Sequence, residues 1–336
     1  MKGITLSYLA RRVGVFVLTI WVAATIIFIV PRLAPGDPIT SMITQATATT
    51  GSIEGADQII EAWRERFGLN DNVFVQYVRY LGNLVTFDFG YSLAEFPTTV
   101  DQLISRAMPW SIGLGVVSLT LTFLIGNFLG AVLAWQRTSR AIKTAIPFTM
   151  IFTSVPSVLA GLLFIYVFAF GLKWFPIQGP YGRGMTEQFT WEFIASVIHH
   201  GILPTAALVI VSFGYWTLGM RGMMVTIEGE DYMTLAQAKG LRPFYVLYRY
   251  MVRNAILPQI TALALSLSTL VSGQILVEVL FQYRGMGTVI FRAIRSQDYN
   301  VIQGTSYIVI LITALGALAI DLLYPLIDPR ISFEGK

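Results

Sequence analysis

Residues 228–258 read EGEDYMTLAQAKGLRPFYVLYRYMVRNAILP, a charged stretch between two long apolar runs. Its opening residues are acidic and its second half is basic. Most connections between helices are short, whereas this one is long enough to fold as a unit of its own outside a lipid bilayer. We call it the 228–258 segment, and the sequence predicts that another molecule on that side of the membrane binds it.

Composition places the chain in a membrane. Of its 336 residues 55% are hydrophobic and 12% are charged, whereas soluble domains carry roughly 25% charged residues. The net charge of +4 lies mostly beside the apolar runs, so it indicates topology rather than nucleic-acid binding. The absence of cysteine excludes disulfides, thiolate nucleophiles and cysteine metal sites. The sequence therefore predicts an all-α integral membrane protein.

Six runs are long enough to cross the bilayer, which takes about 20 mostly apolar residues for ~30 Å of hydrocarbon. They cover residues 13–30, 111–134, 145–170, 201–220, 256–280 and 305–327. The first follows Arg11 and Arg12 and lacks a clear cleavage site, so we interpret it as an uncleaved span. Proline at positions 147, 156 and 204 predicts kinks or breaks in the spans.

Orientation follows from the distribution of Lys and Arg. With the N-terminus inside, the predicted cytoplasmic pieces hold thirteen of these residues and the two short outer loops hold five. Six spans then place both termini in the cytoplasm, together with the 228–258 segment.

The predicted domain organisation has four parts. Residues 1–30 form the N-terminal segment and first span, 31–110 a small helical extracytoplasmic insertion, 111–327 the core with a cytoplasmic loop at 221–258, and 328–336 a cytoplasmic tail. Helical spacing within the insertion predicts one helix at 57–67 and a second one capped by Asp71. The second helix is expected to bury Phe74, Tyr77, Val78 and Leu81. Either a structural lid or a docking surface fits this insertion.

A search for catalytic and metal-binding patterns finds none. The chain has no GxxxxGK[ST] phosphate loop and no GxSxG elbow, and the adjacent His199 and His200 cannot form an HExxH pair. Only two carboxylates fall within the spans, Glu278 and Asp321. Asp321 lies near the cytoplasmic end of the last span, where a structural ion pair is its expected role.

Polar residues inside spans are costly to bury, so they are candidates for function. In the fifth span Thr261, Ser268 and Ser272 share a helical face, and Gln274 and Glu278 follow near the outer end with the spacing of a bonded pair. Bonding between helices and lining of a translocation pathway are both open for these five residues. In the second span Gly126 and Gly130 form a GxxxG pair, which predicts close helix packing.

The 228–258 segment has a specific layout. Glu228, Glu230 and Asp231 stand at the start of a predicted helix, where the helix dipole favours negative charge. Gly240 suits the position just after that helix, and Pro243 suits the start of another. An amphipathic helix on lipid headgroups is one interpretation. The small residues in this stretch favour a second interpretation, in which the short helix protrudes and fits a groove in another protein.

Motifs along nearly the whole chain resemble those of a known family. They are APGDP at 34–38, FGLNDNVFVQYVRYLGNL at 67–84, FDFGYSL at 87–93, EDYMTLAQAKGL at 230–241, RNAILP at 253–258, VEVLFQYRGMG at 277–287, DYNVIQG at 298–304 and DLLYPLIDPRI at 321–331. In this order they resemble the transmembrane permease subunit of a bacterial ABC importer, in the oligopeptide branch that also takes up oligosaccharides and nickel.

The resemblance implies that the 228–258 segment is an EAA-type coupling loop, whose short helix fits an ATPase subunit. The family's E-A-A tripeptide falls on residues 234–236, of which only the last is alanine here. The residues implied at the coupling site are Glu230, Asp231, Tyr232, Ala236, Ala238, Lys239, Gly240, Leu241 and Arg253. Arg249 and Arg253 are expected to fix the loop to the membrane domain or to its neighbours.

The resemblance also implies a location and partners. The expected location is a bacterial or archaeal cell membrane, with the spans in the lipid bilayer. The partners are a second homologous permease forming a heterodimer, two ATP-binding subunits and an extracytoplasmic solute-binding protein. This chain then binds no cofactor and catalyses no reaction itself, while ATP and magnesium are used by the partner subunits.

Two other classes stay open at this point. An ion-gradient-driven secondary transporter is expected to carry inverted repeats and ionisable residues near the bilayer midplane. A membrane enzyme is expected to carry a catalytic constellation of the kind that the search above does not find. The solute also stays open between peptides, oligosaccharides and nickel.

Overall fold

The computed structural model describes residues 6–33, 70–135, 144–268 and 272–327, together with 58, 61, 62, 65, 138, 139, 142 and 270; at 145, 148, 272 and 323–327 it describes the backbone alone. Helices make up most of this part of the chain, and no strand is assigned within it. They are α1 (Leu6–Leu33), α2 (Val73–Thr86), α3 (Val100–Ala134), α4 (Ala145–Thr153), α5 (Ser157–Phe164), α6 (Trp191–Glu228), α7 (Asp231–Ala238), α8 (Pro243–Val246), α9 (Arg253–Ser268), α10 (Ile275–Leu280), α11 (Met286–Arg295) and α12 (Tyr299–Ile327). The all-α prediction is confirmed.

Among the described residues, four helices are long and apolar enough to cross a membrane. They are α1, α3, α6 and residues Tyr299–Leu322 of α12. The third predicted span is divided, because α4 ends at Thr153 and α5 begins after Pro156, whose ring removes a backbone donor. The fifth is divided as well, since α9 ends at Ser268 and α10 begins at Ile275. A count of six spans therefore stays a prediction.

The chain folds as two compact units, and the first unites Met1–Trp110 with Arg284–Lys336. Within it α1 packs along α12, while α2 packs on α1 and α11 on α12. Nη1 of Arg12 lies 2.9 Å from Oδ2 of Asp321, and the Tyr8 hydroxyl donates to the Asp321 carbonyl. The ion pair predicted for Asp321 is thus confirmed.

Helix α2 begins differently from the prediction. Its cap is Asn72, whose Oδ1 accepts a hydrogen bond from the Phe74 amide at 2.9 Å. Asp71 is not the cap, because its carboxylate instead forms an ion pair with Arg79 at 2.8 Å. The predicted helix at 57–67 lies largely outside the described residues.

The buried face of α2 also differs from the prediction. Tyr80 and Leu84 are buried in a cluster with Phe28 of α1, and Tyr77 and Leu81 pack against its edge. The expected burial of Phe74 and Val78 is wrong, since their side chains are 70% and 53% exposed. The buried stripe lies further along the helix because α1 contacts α2 towards its C-terminal end.

The second unit, Ser111–Tyr283, is built around α6. Helices α4, α5, α9 and α10 all pack on it. A Cβ atom added to Gly130 of α3 would lie 2.5 Å from the Thr217 carbonyl oxygen of α6, so only glycine fits this contact. A Cβ on Gly126 would meet the Phe213 carbonyl oxygen at 2.7 Å. The close packing predicted for this glycine pair is confirmed.

Candidate functional site

The 228–258 segment begins where the long α6 ends. Glu228 is the last residue of α6, and Glu230 is the N-cap of the short α7. Asp231 occupies the first turn of α7, where its charge is favourable beside the unpaired backbone amides. The predicted start of this helix is confirmed.

Gly240 ends α7 as expected from its position. Its φ angle is +66°, in the left-handed region that glycine enters without strain, and its amide donates to the Gln237 carbonyl at 2.9 Å. Pro243 then stands at the first position of α8, where no amide donor is needed. Helix α8 continues through a π-helical turn, Leu247–Val252, into α9.

Apolar packing attaches the segment to the end of α6. Met233 and Ala236 of α7 are 1% and 2% exposed. They share a cluster with residues of α6, of the π-helical turn and of the first turn of α9. The buried members are Ala134, Met220, Met224, Ile227, Met233, Ala236, Val246, Met251 and Ala255. Short α7 and α8 are therefore stabilised by burial rather than by their own length.

Most of the predicted coupling residues lie at the surface of the chain, but one does not. Those exposed are Glu230, Asp231, Tyr232, Ala238, Lys239, Gly240 and Arg253, while Leu241 is half-buried. Ala236 is the exception, because it packs inside the chain against the end of α6 and offers no surface to a partner. Leu235, its neighbour, is 56% exposed and replaces it on the outer face of α7.

The anchoring role of Arg249 and Arg253 stays a prediction. Both side chains are exposed, and neither forms an ion pair within the ranges that the structure describes. Arg249 lies in the π-helical turn, whereas Arg253 is the first residue of α9. Nearby, Nδ2 of Asn254 donates to the Tyr250 carbonyl at 2.7 Å and lies 3.5 Å from the Tyr232 hydroxyl of α7.

Of the pathway candidates, Gln274 and Glu278 bond α3. Ser111 of α3 donates from Oγ to Glu278 Oε1 at 2.6 Å, and its carbonyl accepts from Gln274 Nε2. All three side chains are at most 2% exposed. Gln274 belongs to a 3₁₀ turn and Glu278 to α10, so the two are not on one α-helix as the spacing argument assumed.

Two of the other pathway candidates form hydrogen bonds within their own helix. Thr261 Oγ1 lies 3.4 Å from the Leu257 carbonyl oxygen, and Ser268 Oγ donates to the Leu265 carbonyl at 2.6 Å. Such bonds to the preceding turn are common for hydroxyls in apolar helices. The side chain of Ser272 lies outside the described residues. A pathway role for these residues stays a prediction.

Beyond α10, Tyr283 lies close to Glu278. Burial raises the pKa of the Tyr283 phenol to about 12, and the Glu278 carboxylate adds to that rise. The phenol is therefore neutral at any physiological pH. His199 and His200 hydrogen-bond the carbonyl groups of Trp174 and Ser196, at 3.0 Å and 2.8 Å.

The first unit contains a polar network that the sequence reasoning missed. We call residues 88–101 the anchored loop. Asp298, 1% exposed, accepts hydrogen bonds from Ser92 Oγ at 2.6 Å and from the Ala94 amide at 3.0 Å. It also accepts from the Val301 amide at 3.1 Å, at the start of α12. One buried carboxylate thus joins parts of the chain 206 residues apart.

Two further contacts hold the anchored loop. Nδ2 of Asn300 donates to the Tyr91 carbonyl at 2.8 Å. A Cβ added to Gly304 would lie 2.7 Å from Val100 Cγ1 and 2.9 Å from Phe89 Cγ, so the glycine allows α12 to approach the loop closely. The anchored loop includes most of the family motif at 87–93, and its partners lie in the motif at 298–304. The spacing of these two motifs does not predict that they contact each other.

Comparisons with known proteins agree with this architecture. A family described as "Binding-protein-dependent transport system inner membrane component" matches residues 126–333. The oligopeptide transport system permease protein AppB of Bacillus subtilis is 34% identical over 329 residues, which cover 97% of this chain and 99% of the relative. The dipeptide transport system permease protein DppB of the same organism is 32% identical over 331 residues, 98% and 99%. The glutathione transport system permease protein GsiC of Escherichia coli is 28% identical over 329 residues, 98% and 100%.

Proposed function

The chain belongs to the family of binding-protein-dependent transport system inner membrane components, and from that membership we propose that it passes short peptides through one half of a translocation pathway. It is a multi-pass membrane protein and a permease subunit of an ABC importer. Members of this family work with ATPase and binding-protein components. A secondary transporter and a membrane enzyme are both disfavoured, because neither class accounts for the similarity of this chain to peptide permeases along nearly its full length.

One observation carries the coupling part of the proposal. The 228–258 segment packs its apolar face on the end of α6 and leaves a second set of large apolar and aromatic side chains exposed. Tyr232, Leu235, Phe244, Tyr245 and Tyr248 are 37%, 56%, 70%, 50% and 65% exposed. Surface clusters of this kind suit a protein partner. We assign the segment to the groove of an ATP-binding subunit.

The rest of the assembly follows the family pattern. The proposed complex contains this chain, a second and homologous permease, two ATP-binding subunits and an outer binding protein. Both termini and the 228–258 segment lie in the cytoplasm, as the distribution of Lys and Arg favours. ATP and magnesium bind the partner subunits, and this chain contributes contact surface and pathway rather than catalysis.

Gly240 provides the test of coupling, with Gly184 as a matched control. Both glycines have positive φ angles, +66° and +84°, and a Cβ on either would meet no atom within 4 Å. Replacing either with leucine therefore costs similar backbone strain, on the order of 1 kcal/mol. Gly240→Leu is expected to abolish peptide uptake and co-purification of the ATPase, whereas Gly184→Leu keeps both. Equal uptake by the two variants would contradict the coupling role.

The solute is tested through the binding protein. The tagged chain is purified from native membranes, and the ligand of the co-purifying binding protein is identified by mass spectrometry. A short peptide supports the proposal, in line with the peptides and glutathione named for the relatives. An oligosaccharide or nickel would overturn the peptide assignment while leaving the importer intact. Recovery of the chain without any ATPase would contradict the whole proposal.

A further inference from the structure

Arg32, in the last turn of α1, is a half-buried cation. Its Nη1 donates to the Phe28 carbonyl at 2.8 Å and its Nη2 to Gln76 Oε1 at 3.0 Å. The guanidinium carbon lies 3.5 Å from the centre of the Phe28 ring. No carboxylate of the described residues forms an ion pair with it. A guanidinium has five donors, and these two bonds use two of them.

A cavity of about 110 Å³ lies against this guanidinium, within the first unit. Its lining is rich in donors: Arg32 and Arg79 are joined there by the side-chain amides of Gln76, Asn83, Asn300 and Gln303. A cavity of this size accommodates one small polar group.

Gln303 supplies an independent sign of a missing ligand. Its side chain is 7% exposed, and its Nε2 is buried without a hydrogen-bond partner among the residues that the structure describes. A buried donor left unpaired is costly, and native structures rarely keep one. An acceptor oxygen in the cavity would satisfy it.

Arg32 lacks a directly bonded carboxylate among the described residues. Arg79 forms an ion pair with Asp71 at 2.8 Å. Asp88, the carboxylate in the lining, accepts a hydrogen bond through Oδ1 from the Gly90 amide at 3.1 Å and forms no ion pair with Arg32. The guanidinium of Arg32 can therefore bind a group with one negative charge and several oxygen atoms.

The surroundings of Arg32 indicate where such a group comes from. In the same turns of α1, Ile29, Val30 and Leu33 are 45%, 57% and 77% exposed. Helix α1 is apolar enough to span a membrane, so these side chains face acyl chains near the level of the headgroups. Arginine binds phosphate oxygens through parallel donors. We propose that the cavity binds the phosphate of a phospholipid headgroup whose acyl chains lie along α1.

Native mass spectrometry of the purified chain, with its co-purifying subunits, tests this site. Phosphatidylglycerol is titrated in parallel with diacylglycerol, which has the same chains but no phosphate. We expect one phosphatidylglycerol to bind tightly, and Arg32→Gln to weaken it at least tenfold. Arg12→Gln is the control, because Arg12 lies at the other end of the same helix and is paired with Asp321. That variant is expected to bind like the parent protein.

A second variant guards against simple misfolding. Gln303→Glu places a carboxylate in the lining of the cavity, where Arg32 can neutralise it. We expect it to exclude the lipid while the thermal unfolding of the complex stays unchanged. Equal binding of both lipids, or unchanged binding by Arg32→Gln, would overturn the proposal.

Soluble competitors distinguish the sources of the anion. Inorganic phosphate and a dipeptide are each added to the phosphatidylglycerol complex. Retention of the lipid supports the headgroup assignment, because the chains contribute to its binding. Displacement by inorganic phosphate at low millimolar concentration would overturn the lipid source in favour of a free anion. Displacement by the dipeptide alone would assign the cavity to a transported carboxylate.

Discussion

The 228–258 segment and the anchored loop are both irregular stretches beside long helices, yet they are held by different forces. Apolar side chains such as Met233 and Met224 attach the first to the helix that directly precedes it. Hydrogen bonds to one buried carboxylate, Asp298, attach the second to a part of the chain 206 residues away. Apolar packing has little directionality, so it tolerates small displacements, whereas a network of charged hydrogen bonds holds one geometry. The apolar attachment of the 228–258 segment suits a contact that moves, whereas the hydrogen bonds of the anchored loop suit one that stays fixed.

The largest effect is expected from removing the Asp298 carboxylate, which holds the anchored loop. Asp298→Ala leaves the Ser92 hydroxyl and the Ala94 amide without their acceptor in a buried site. The free energy of unfolding should fall by about 1–3 kcal/mol for each buried donor left without its acceptor. Thermal unfolding of the purified protein measures this loss. Asn300→Ala, which removes one bond to the Tyr91 carbonyl, is the control and should cost about 1 kcal/mol. Equal costs for the two would remove the distinction drawn for the anchored loop.

Overpacking the 228–258 segment should have a smaller effect, confined to that segment. Ala236→Leu forces extra carbon atoms into the cluster beside Met233 and is expected to cost about 1–3 kcal/mol. Hydrogen exchange should become faster in residues 231–258 and stay unchanged in residues 88–101. Ala238→Leu is matched to it, since this alanine is on the same helix but exposed. If both variants loosen the segment alike, its attachment does not depend on the buried face.

A charge on the exposed face of α7 should leave stability almost unchanged and still break the partner contact. Leu235→Asp changes a side chain that is 56% exposed, so the free energy of unfolding should move by less than about 0.5 kcal/mol. Co-purification of the ATP-binding subunit should be lost. Thr234→Asp tests the specificity of the face, because Thr234 is an exposed neighbour at a different angle around the helix. Retained binding by Leu235→Asp would place the contact elsewhere.

Chemical nitration of the unaltered protein compares a tyrosine packed beside the anchored loop with tyrosines of the 228–258 segment. Tyr80 is buried in a cluster whose edge includes Phe89 of the anchored loop, and burial raises the pKa of its phenol. Nitration requires an accessible phenolate, so Tyr80 should react last. Tyr245 and Tyr248 of the 228–258 segment are 50% and 65% exposed and should react first. Peptide mapping after brief treatment with tetranitromethane measures the order, and early nitration of Tyr80 would show that its region is loose.

Local signals in the sequence predicted local structure well. Gly240 marks the end of one helix because glycine enters positive φ without strain, and Pro243 marks the start of the next because its ring fixes φ near the helical value. The ion pair of Asp321 was predictable from its place near a span end. The face of a short helix was not, as Ala236 shows, because burial depends on which neighbour the helix packs against. The Asp298 network could not be predicted for the same reason, since its hydrogen-bond partners come together only in the folded chain.

Helix α6 has a mechanical consequence that follows from its length alone. Its 38 residues, at 1.5 Å each, extend about 57 Å, nearly twice the ~30 Å thickness of the hydrocarbon layer. A tilt of about 10° around its centre displaces each end by about 5 Å in opposite directions, given that half-length. The 228–258 segment sits on one of those ends. Because α6 is one continuous helix that contains Pro204, a displacement of the segment at one end would move the opposite end as well.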